Sequence, residues 1–306
     1  MLLLLVTGIV AVAQVFGGDI KDDDRDSTIE RASPRTRVIY ETNFRSSTIQ
    51  AFNLTRSYLG IFARPIQPTG IIFDDAGNLY VCSDNDPESS ILKFTPDGTG
   101  SVFANSGLDG PHGLAFDDAG NLYVANAKNN TVIKFNSDGV GSIFADRTDG
   151  LMHPFDLVFD GSGNLYVSNA HGGPARKGSI FKFTPDGVGS LFADTGLQTP
   201  FGLAFDQGGN LYVSNVDSDT IEKFAPDGTD LGVFASTGLN EPLGIMFDAA
   251  GNLYAANKGN DIIEEFAPDG TDLGVFAHTD PRPHFLKMFT PGNLHIAKKE
   301  FKSARK

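Results

Sequence analysis

A fourteen-residue fragment recurs along this chain and constrains its architecture more than any other feature. It reads GLAFDDAGNLYVAN at Gly113–Asn126, GLAFDQGGNLYVSN at Gly202–Asn215 and GIMFDAAGNLYAAN at Gly244–Asn257. Related copies start at Gly70, Asp156 and Leu286, so successive copies begin 43, 43, 46, 42 and 42 residues apart. A period of this length, with several short strands in each unit, is the mark of a β-propeller. What all copies share is scaffold. Residues that break the pattern are the candidates for function.

One copy shows how a repeat becomes a blade. Gly113–Asp117 is an apolar run suited to an inner strand buried on both faces. Asp118-Ala119-Gly120 supplies turn residues, and Asn121–Asn126 is a second strand. Thr131–Phe135 is a third strand, NSDG closes a tight turn, and Gly141–Ala145 is the outer strand. Sister copies place Pro-Asp-Gly in that turn at Pro96, Pro185, Pro226 and Pro268. Phenylalanine recurs on the inner strands (Phe73, Phe116, Phe159, Phe205, Phe247, Phe289) and on the outer strands (Phe62, Phe103, Phe144, Phe192, Phe234, Phe276). Such rings read as blade-on-blade packing.

The expected fold is therefore all-β, a six-bladed β-propeller with four-stranded antiparallel blades, and seven blades is the alternative. Val38–Arg64 supplies strands two to four without an inner strand, and the stretch from Leu286 supplies an inner strand, so the two termini join to close the ring. That closure hides open sheet edges. One second strand is then surplus, either Val38–Asn43 or Asn293–Ala297.

The flanking segments read differently from the repeats. Residues 1–17 are almost wholly apolar, with an A-x-A site at Ala11–Ala13, and read as a signal peptide too short to span a bilayer. Residues 18–37 form a polar linker, 38–297 the propeller and 298–306 a basic tail. A secreted or periplasmic product without a membrane span is expected. The net charge of −14 excludes a nucleic-acid partner as an expectation, since phosphate binding needs clustered Lys and Arg. The single cysteine, Cys82, reads as a small buried residue.

The repeat resembles the NHL repeat and the gluconolactonase-type and virginiamycin B lyase-type propellers. The residues that carry this are Pro-x-Gly before the inner strand (Pro111-His112-Gly113, Pro200-Phe201-Gly202, Pro242-Leu243-Gly244), the GNLYV strand and the Pro-Asp-Gly turn. The resemblance covers about residues 38–297. It implies the fold more strongly than an activity, because such propellers include both enzymes and binding modules. The enzymes it points to hold a divalent cation through carboxylates and an asparagine, partly at the residue before the inner-strand glycine. Thr69, His112, Phe155, Phe201, Leu243 and Phe285 take that place here, and none is acidic.

The copies differ in length only in the loops between strands two and three and between blades, which share one end of the ring. The longest are Ala170–Gly178 and Asp146–Phe155, in one sector. Loops on a rigid scaffold are where function concentrates. Asp156 replaces the usual inner-strand glycine and is expected to face the channel mouth. His112, His153, His171, Arg176 and Lys177 lie at the same end. These six residues are the candidate ligand-binding set, with Asp156 and His112 as metal ligands if the chain is an enzyme. No cofactor is expected, with a divalent cation such as Ca2+ as the possible exception. Asp84, Asp86 and Glu88 form an acidic loop that reads either as solvated or as a calcium site.

Three functional expectations remain open. The first is a binding or interaction module working through the face around Asp156 and residues 170–178, with a protein, carbohydrate or small molecule as partner. The second is a metal-dependent lactone hydrolase or lyase. The third is a structural protein that self-associates through acidic faces and the basic tail.

Overall fold

In the computed structural model, which describes residues 37–171 and 177–289, twenty-four strands form six four-stranded antiparallel sheets arranged as a propeller. The signal segment, the linker, Arg176, Asn293–Ala297 and the basic tail lie outside the described residues. Each blade is named here after the proline that opens its inner strand. In ring order they are the Pro68, Pro111, Pro154, Pro200 and Pro242 blades and a closing blade. The closing blade has Pro283–Phe289 as its inner strand, followed by Val38–Asn43, Thr48–Asn53 and Tyr58–Ala63. The inner strands touch one another in cyclic order, and Pro283–Phe289 meets Pro68–Phe73. The termini thus close the ring as the repeat count suggests, with six blades and Val38–Asn43 as a true second strand.

Aromatic layering holds neighbouring blades together. Tyr123 lies edge-on between Phe144 of its own blade and Phe159 of the next, both at 5.0 Å between ring centres. Tyr166 repeats this with Phe192 at 4.9 Å and Phe205 at 5.0 Å. Tyr212 does so with Phe234 and Phe247, each at 4.8 Å. Edge-to-face pairs of this kind add about 0.5–1.5 kcal/mol beyond the area they bury. A lysine caps each of these tyrosines, with the Lys182 ammonium 5.1 Å from the Tyr166 ring centre.

The last inner strand departs from the expected register. Every inner strand carries a bulge after its opening proline, so Pro111 pairs with Asn126 and Leu114 with Val124. In the closing blade Pro283 pairs with Asn43 and Leu286 with Glu41. Leu286 is therefore the counterpart of Leu114, and the glycine position belongs to Phe285. The residue before it is His284, and Met288, rather than Phe289, takes the recurring phenylalanine position. Phe289 lies one residue further on and packs on Phe73, with ring centres 4.8 Å apart.

Two glycine positions have clear physical causes. The glycine of each Pro-Asp-Gly-type turn adopts a left-handed backbone, with φ of 85° at Gly98 and 88° at Gly228. At the inner-strand glycines the neighbouring blade leaves no room for a side chain. A Cβ at Gly70 would stand 2.0 Å from the His112 carbonyl oxygen, and one at Gly202 would stand 2.4 Å from that of Leu243.

Candidate functional site

Recurrent hydrogen bonds bring the variable loops to one end of the ring. The residue after the second strand donates its N–H to the residue before the proline that opens the same blade: Asp84 to Gln67, Ala127 to Gly110, Ala170 to His153, Val216 to Thr199 and Lys258 to Glu241. In the closing blade Phe44 donates to Arg282 at the same position of the repeat. The acceptor residues all have positive φ, including His153 at 57°. The left-handed backbone at His153 is thus a property of the scaffold and not of that sector.

The terminal asparagines of the second strands pin the same loops. Asn215 accepts the Gln198 N–H at 3.0 Å and donates to the Gly196 carbonyl at 2.8 Å. Asn126, Asn169 and Asn257 do the same to Gly107, Gly150 and Gly238. These buried amides hold loop backbone and have no capacity left over for a ligand.

At the axis, six residues ring the channel mouth: Thr69, His112, Phe155, Phe201, Leu243 and His284. Thr69 is buried and donates to the Pro111 carbonyl at 2.7 Å. Its small size lets the flanking imidazoles of His112 and His284 meet, stacked with centres 6.1 Å apart. Phe155 and Phe201 stack at 4.5 Å, and His112 stands edge-on to Phe155 at 4.8 Å. The patch continues outward on both sides. His153 lies 4.8 Å from Phe155 and 5.2 Å from His171, and Phe44 stacks on His284 at 5.2 Å. Of the sequence-derived candidates, His112, His153 and His171 therefore belong to one contiguous surface joined through Phe155. Lys177 is exposed at the far end of its loop, and its carbonyl accepts the Thr199 N–H. His284 and Phe44 escaped the sequence reading, which put Phe285 in the place that His284 takes.

Asp156 takes a different place from the one expected of it. It is 8% exposed, and both carboxylate oxygens accept backbone N–H groups, from Leu157 at 2.8 Å and from Leu203 of the next blade at 2.9 Å. The side chain ties two blades beneath the mouth. Burial raises its pKa to about 6, against the lowering effect of those two bonds and of Lys287. Lys287, on the diametrically opposite inner strand, is solvent-exposed although protein surrounds it, as a side chain reaching into the axial channel would be. Burial lowers its pKa and Asp156 raises it.

Three imidazoles of the mouth, His112, His153 and His284, are pushed toward the neutral form. Burial, with Lys258 and Arg282 nearby, pushes His284 down to about 3. Burial, followed by His284, His153 and Lys128, holds His112 well below the usual histidine value. His153 is lowered by burial and His171. The Nδ1 atoms of His112, His153 and His284 are buried and lack a hydrogen-bond partner. The mouth is thus an uncharged aromatic patch on a protein of net charge −14.

The divalent cation of gluconolactonase-type propellers finds no matching cradle at this mouth. None of the six ring positions is a carboxylate, and both Asp156 oxygens are engaged by the backbone. Among the described residues, no three His, Cys, Asp or Glu side chains gather around a point that could hold an ion. In the acidic loop, Asp84 and Asp86 share one cation from the next blade, the Lys128 ammonium, 3.0 Å from Asp84 and 3.4 Å from Asp86. Cys82 is free and buried. The opposite end of the ring has wider clefts, one of about 590 Å³ lined by Asp74, Tyr80, Lys93, Phe103, Phe116 and Asp117. Those clefts are built from side chains that recur in several blades and follow from the scaffold. No helix among the described residues is long and apolar enough to cross a membrane.

A six-bladed ring with this mouth defines a class of propellers, and the comparisons narrow it. Residues 68–283 match the family model described as the SMP-30/Gluconolactonase/LRE-like region, and the chain belongs to that family. Three solved structures share the fold. A chain in the crystal structure of a nidogen/laminin complex superposes with a TM-score of 0.71 at 20% identity, over 83% of this chain and 98% of that one. A Xanthomonas campestris gluconolactonase, described as important in glucose secondary metabolic pathways, gives 0.62 at 22% identity, over 73% and 83%. A putative gluconolactonase gives 0.59 at 20% identity, over 71% and 79%. No curated protein matches the chain.

Proposed function

We propose that this chain is an exported binding module whose working surface is the channel mouth formed by Phe44, His112, His153, Phe155, His171 and His284. The observation that carries the reading is the chemistry of the mouth. Its rings are aromatic or imidazole, burial holds His112, His153 and His284 toward the neutral form, and none of the six ring positions is a carboxylate that could hold a cation. Such a surface suits an uncharged partner that stacks a ring or inserts an apolar side chain, such as a carbohydrate face or an aromatic residue of another protein. His171 and Lys177, the described residues on either side of 172–176, would set partner selectivity. The nidogen/laminin structure supports the reading only as a precedent for a similar fold found within a protein complex.

A second reading has one observation in its favour. His112 and His284 occupy the positions from which gluconolactonase-type propellers hold their cation, so a lactone hydrolase with an altered site is the rival. A thermal-shift and surface-binding panel of neutral glycans and aromatic-rich peptides tests the first reading. A ligand bound by the wild type and lost in Phe155→Ser, without a fall in melting temperature, is the expected result. Binding that Phe155→Ser and His284→Ala leave untouched would move the function away from this mouth.

A further inference from the structure

The closing blade breaks the asparagine clamp that the other asparagine-bearing blades share. Asn43 stands where Asn257 stands in the Pro242 blade, but its amide does not hold the incoming loop. It donates instead to Glu41 Oε2 at 2.6 Å and to Gln50 Oε1 at 3.3 Å. The loop is held by a substitute bond, from the Asp280 N–H to Gln50 Oε1 at 3.1 Å. Glu41 occupies the position of Val124, Val167 and Val213, and Gln50 that of Leu92 and Ile133. The leucine that fills the pocket beneath the incoming loop, buried Leu151 and Leu197 in two other blades, is absent here, and the loop runs His278-Thr279-Asp280-Pro281. A pocket that is apolar elsewhere in the ring has become polar at the seam between the Pro242 and closing blades.

Two acceptors in this pocket are left over. Glu41 Oε1 and Asn43 Oδ1 have no hydrogen-bond partner, and both residues are 0% exposed. Asn43 Oδ1 can only accept, and Glu41 Oε1 can donate only when protonated, so each is a buried acceptor with no donor supplied by the chain. Among the described residues no Lys or Arg forms an ion pair with Glu41. Asp280 and Asp261 add negative charge close by. Burial first, and then these two carboxylates, push the Glu41 pKa well above the usual range, while the Asn43 bond opposes the rise.

We propose that this seam is a hard-cation site, of the Ca2+ class, in which Glu41 and Asn43 supply side-chain oxygens, Gln50 holds the Asn43 amide and the Asp280 backbone in place, and Asp280 and Asp261 supply surrounding negative charge. An all-oxygen set built on one buried carboxylate and one amide carbonyl suits a hard cation and not a thiolate- or imidazole-seeking metal. Glu41 and Asn43 belong to the N-terminal strand of the ring, and Asp280 to the loop leading into its last strand. An ion between them would therefore lock the blade in which the two ends of the chain meet. The site is off-axis and separate from the channel mouth.

The test is calcium titration of the chelator-treated full-length protein, followed by thermal unfolding with and without millimolar CaCl2. The expected result is binding near one Ca2+ per chain, with a melting temperature that rises with Ca2+ concentration, as preferential binding to the folded state requires. Glu41→Gln keeps the side-chain shape and should abolish that rise. Asp280→Asn, at the more exposed side of the site, should weaken Ca2+ binding and serves if Glu41→Gln does not fold. No Ca2+ binding by titration, or an equal rise in both variants, would overturn the proposal. A melting temperature that responds to acid but not to Ca2+ would do so too, since Glu41 would then simply hold a proton.

Discussion

The two ends of the ring are built from the same repeats, yet their side chains do different things. At the turn end, the aspartates of three successive blades, Asp117, Asp160 and Asp206, have equivalent partners. Asp206 accepts the N–H groups of Gly208 and Asn210, the Asn210 amide and the Tyr212 hydroxyl. Asp160 repeats this set with Ser162, Asn164 and Tyr166. At the mouth end the backbone is equally regular, but the axial residues run threonine, histidine, phenylalanine, phenylalanine, leucine, histidine. Uniform side chains on a uniform backbone point to folding. Divergent side chains on a uniform backbone point to recognition. Substitutions at the first kind should cost stability and spare binding, and those at the second should do the reverse.

The largest stability effect is expected at Tyr166, which is sandwiched between two blades and capped by Lys182. Tyr166→Ala should destabilise by about 3–5 kcal/mol, the range for removing a buried ring, and denaturant unfolding reads this directly. Asn215→Ala comes next. It removes two part-buried hydrogen bonds, those to the Gln198 N–H and the Gly196 carbonyl, at a cost of about 1–3 kcal/mol. Although Asn215 lies at the mouth end, its loss should leave ligand selectivity unchanged, which separates loop-holding groups from recognising ones.

The acids of the two regions should also titrate apart. Asp156 has a folded-state pKa of about 6, and Glu222 and Glu264 each about 7, raised by burial and by the neighbouring Asp230 and Asp272. These values lie above those of an unfolded chain, so the folded state takes up extra protons and gains stability as pH falls from about 7 toward the ordinary carboxyl range. At turn-end Asp160 and Asp206, burial raises the pKa, but bonds from Asn164 and Asn210 and the nearby lysines outweigh it and the net shift is downward. Their contribution is present above the unfolded carboxyl pKa and is lost as pH falls through the depressed value. Melting temperature against pH should therefore peak on the acid side of neutrality, and Asp156→Gly should flatten the upper limb. A monotonic rise from acid to pH 8 would contradict this assignment. The smallest stability change is expected for Phe155→Ser, whose ring reaches the surface of the mouth.

Much of the scaffold was legible because it repeats. The strand order, the phenylalanine layers and the closure by the two termini all follow from comparing copies. The last inner strand was misaligned by one residue because Phe289 looked like the recurring phenylalanine. The bulge makes the opening proline the true reference point, and Pro283-His284 matches Pro111-His112 on that basis. That pairing was the available signal for His284. Asp156 posed a different difficulty. A carboxylate in a glycine position reads the same whether it faces a channel or folds back onto two N–H groups, and the Leu203 partner lies 47 residues away. The polar seam was hidden for the same reason, since the Asp280 N–H meets Gln50 across 230 residues of sequence.

The central claim is that the mouth recognises a partner and does not hold the cation of a gluconolactonase. Hydrolysis of sugar lactones by the purified protein, with Ca2+, Mn2+ or Zn2+ added in turn, tests it most directly. The account predicts no turnover above the uncatalysed rate with any of the three ions. Metal-dependent turnover that disappears in both His112→Ala and His284→Ala, with the fold intact, would contradict it and place the chain among the enzymes of its family.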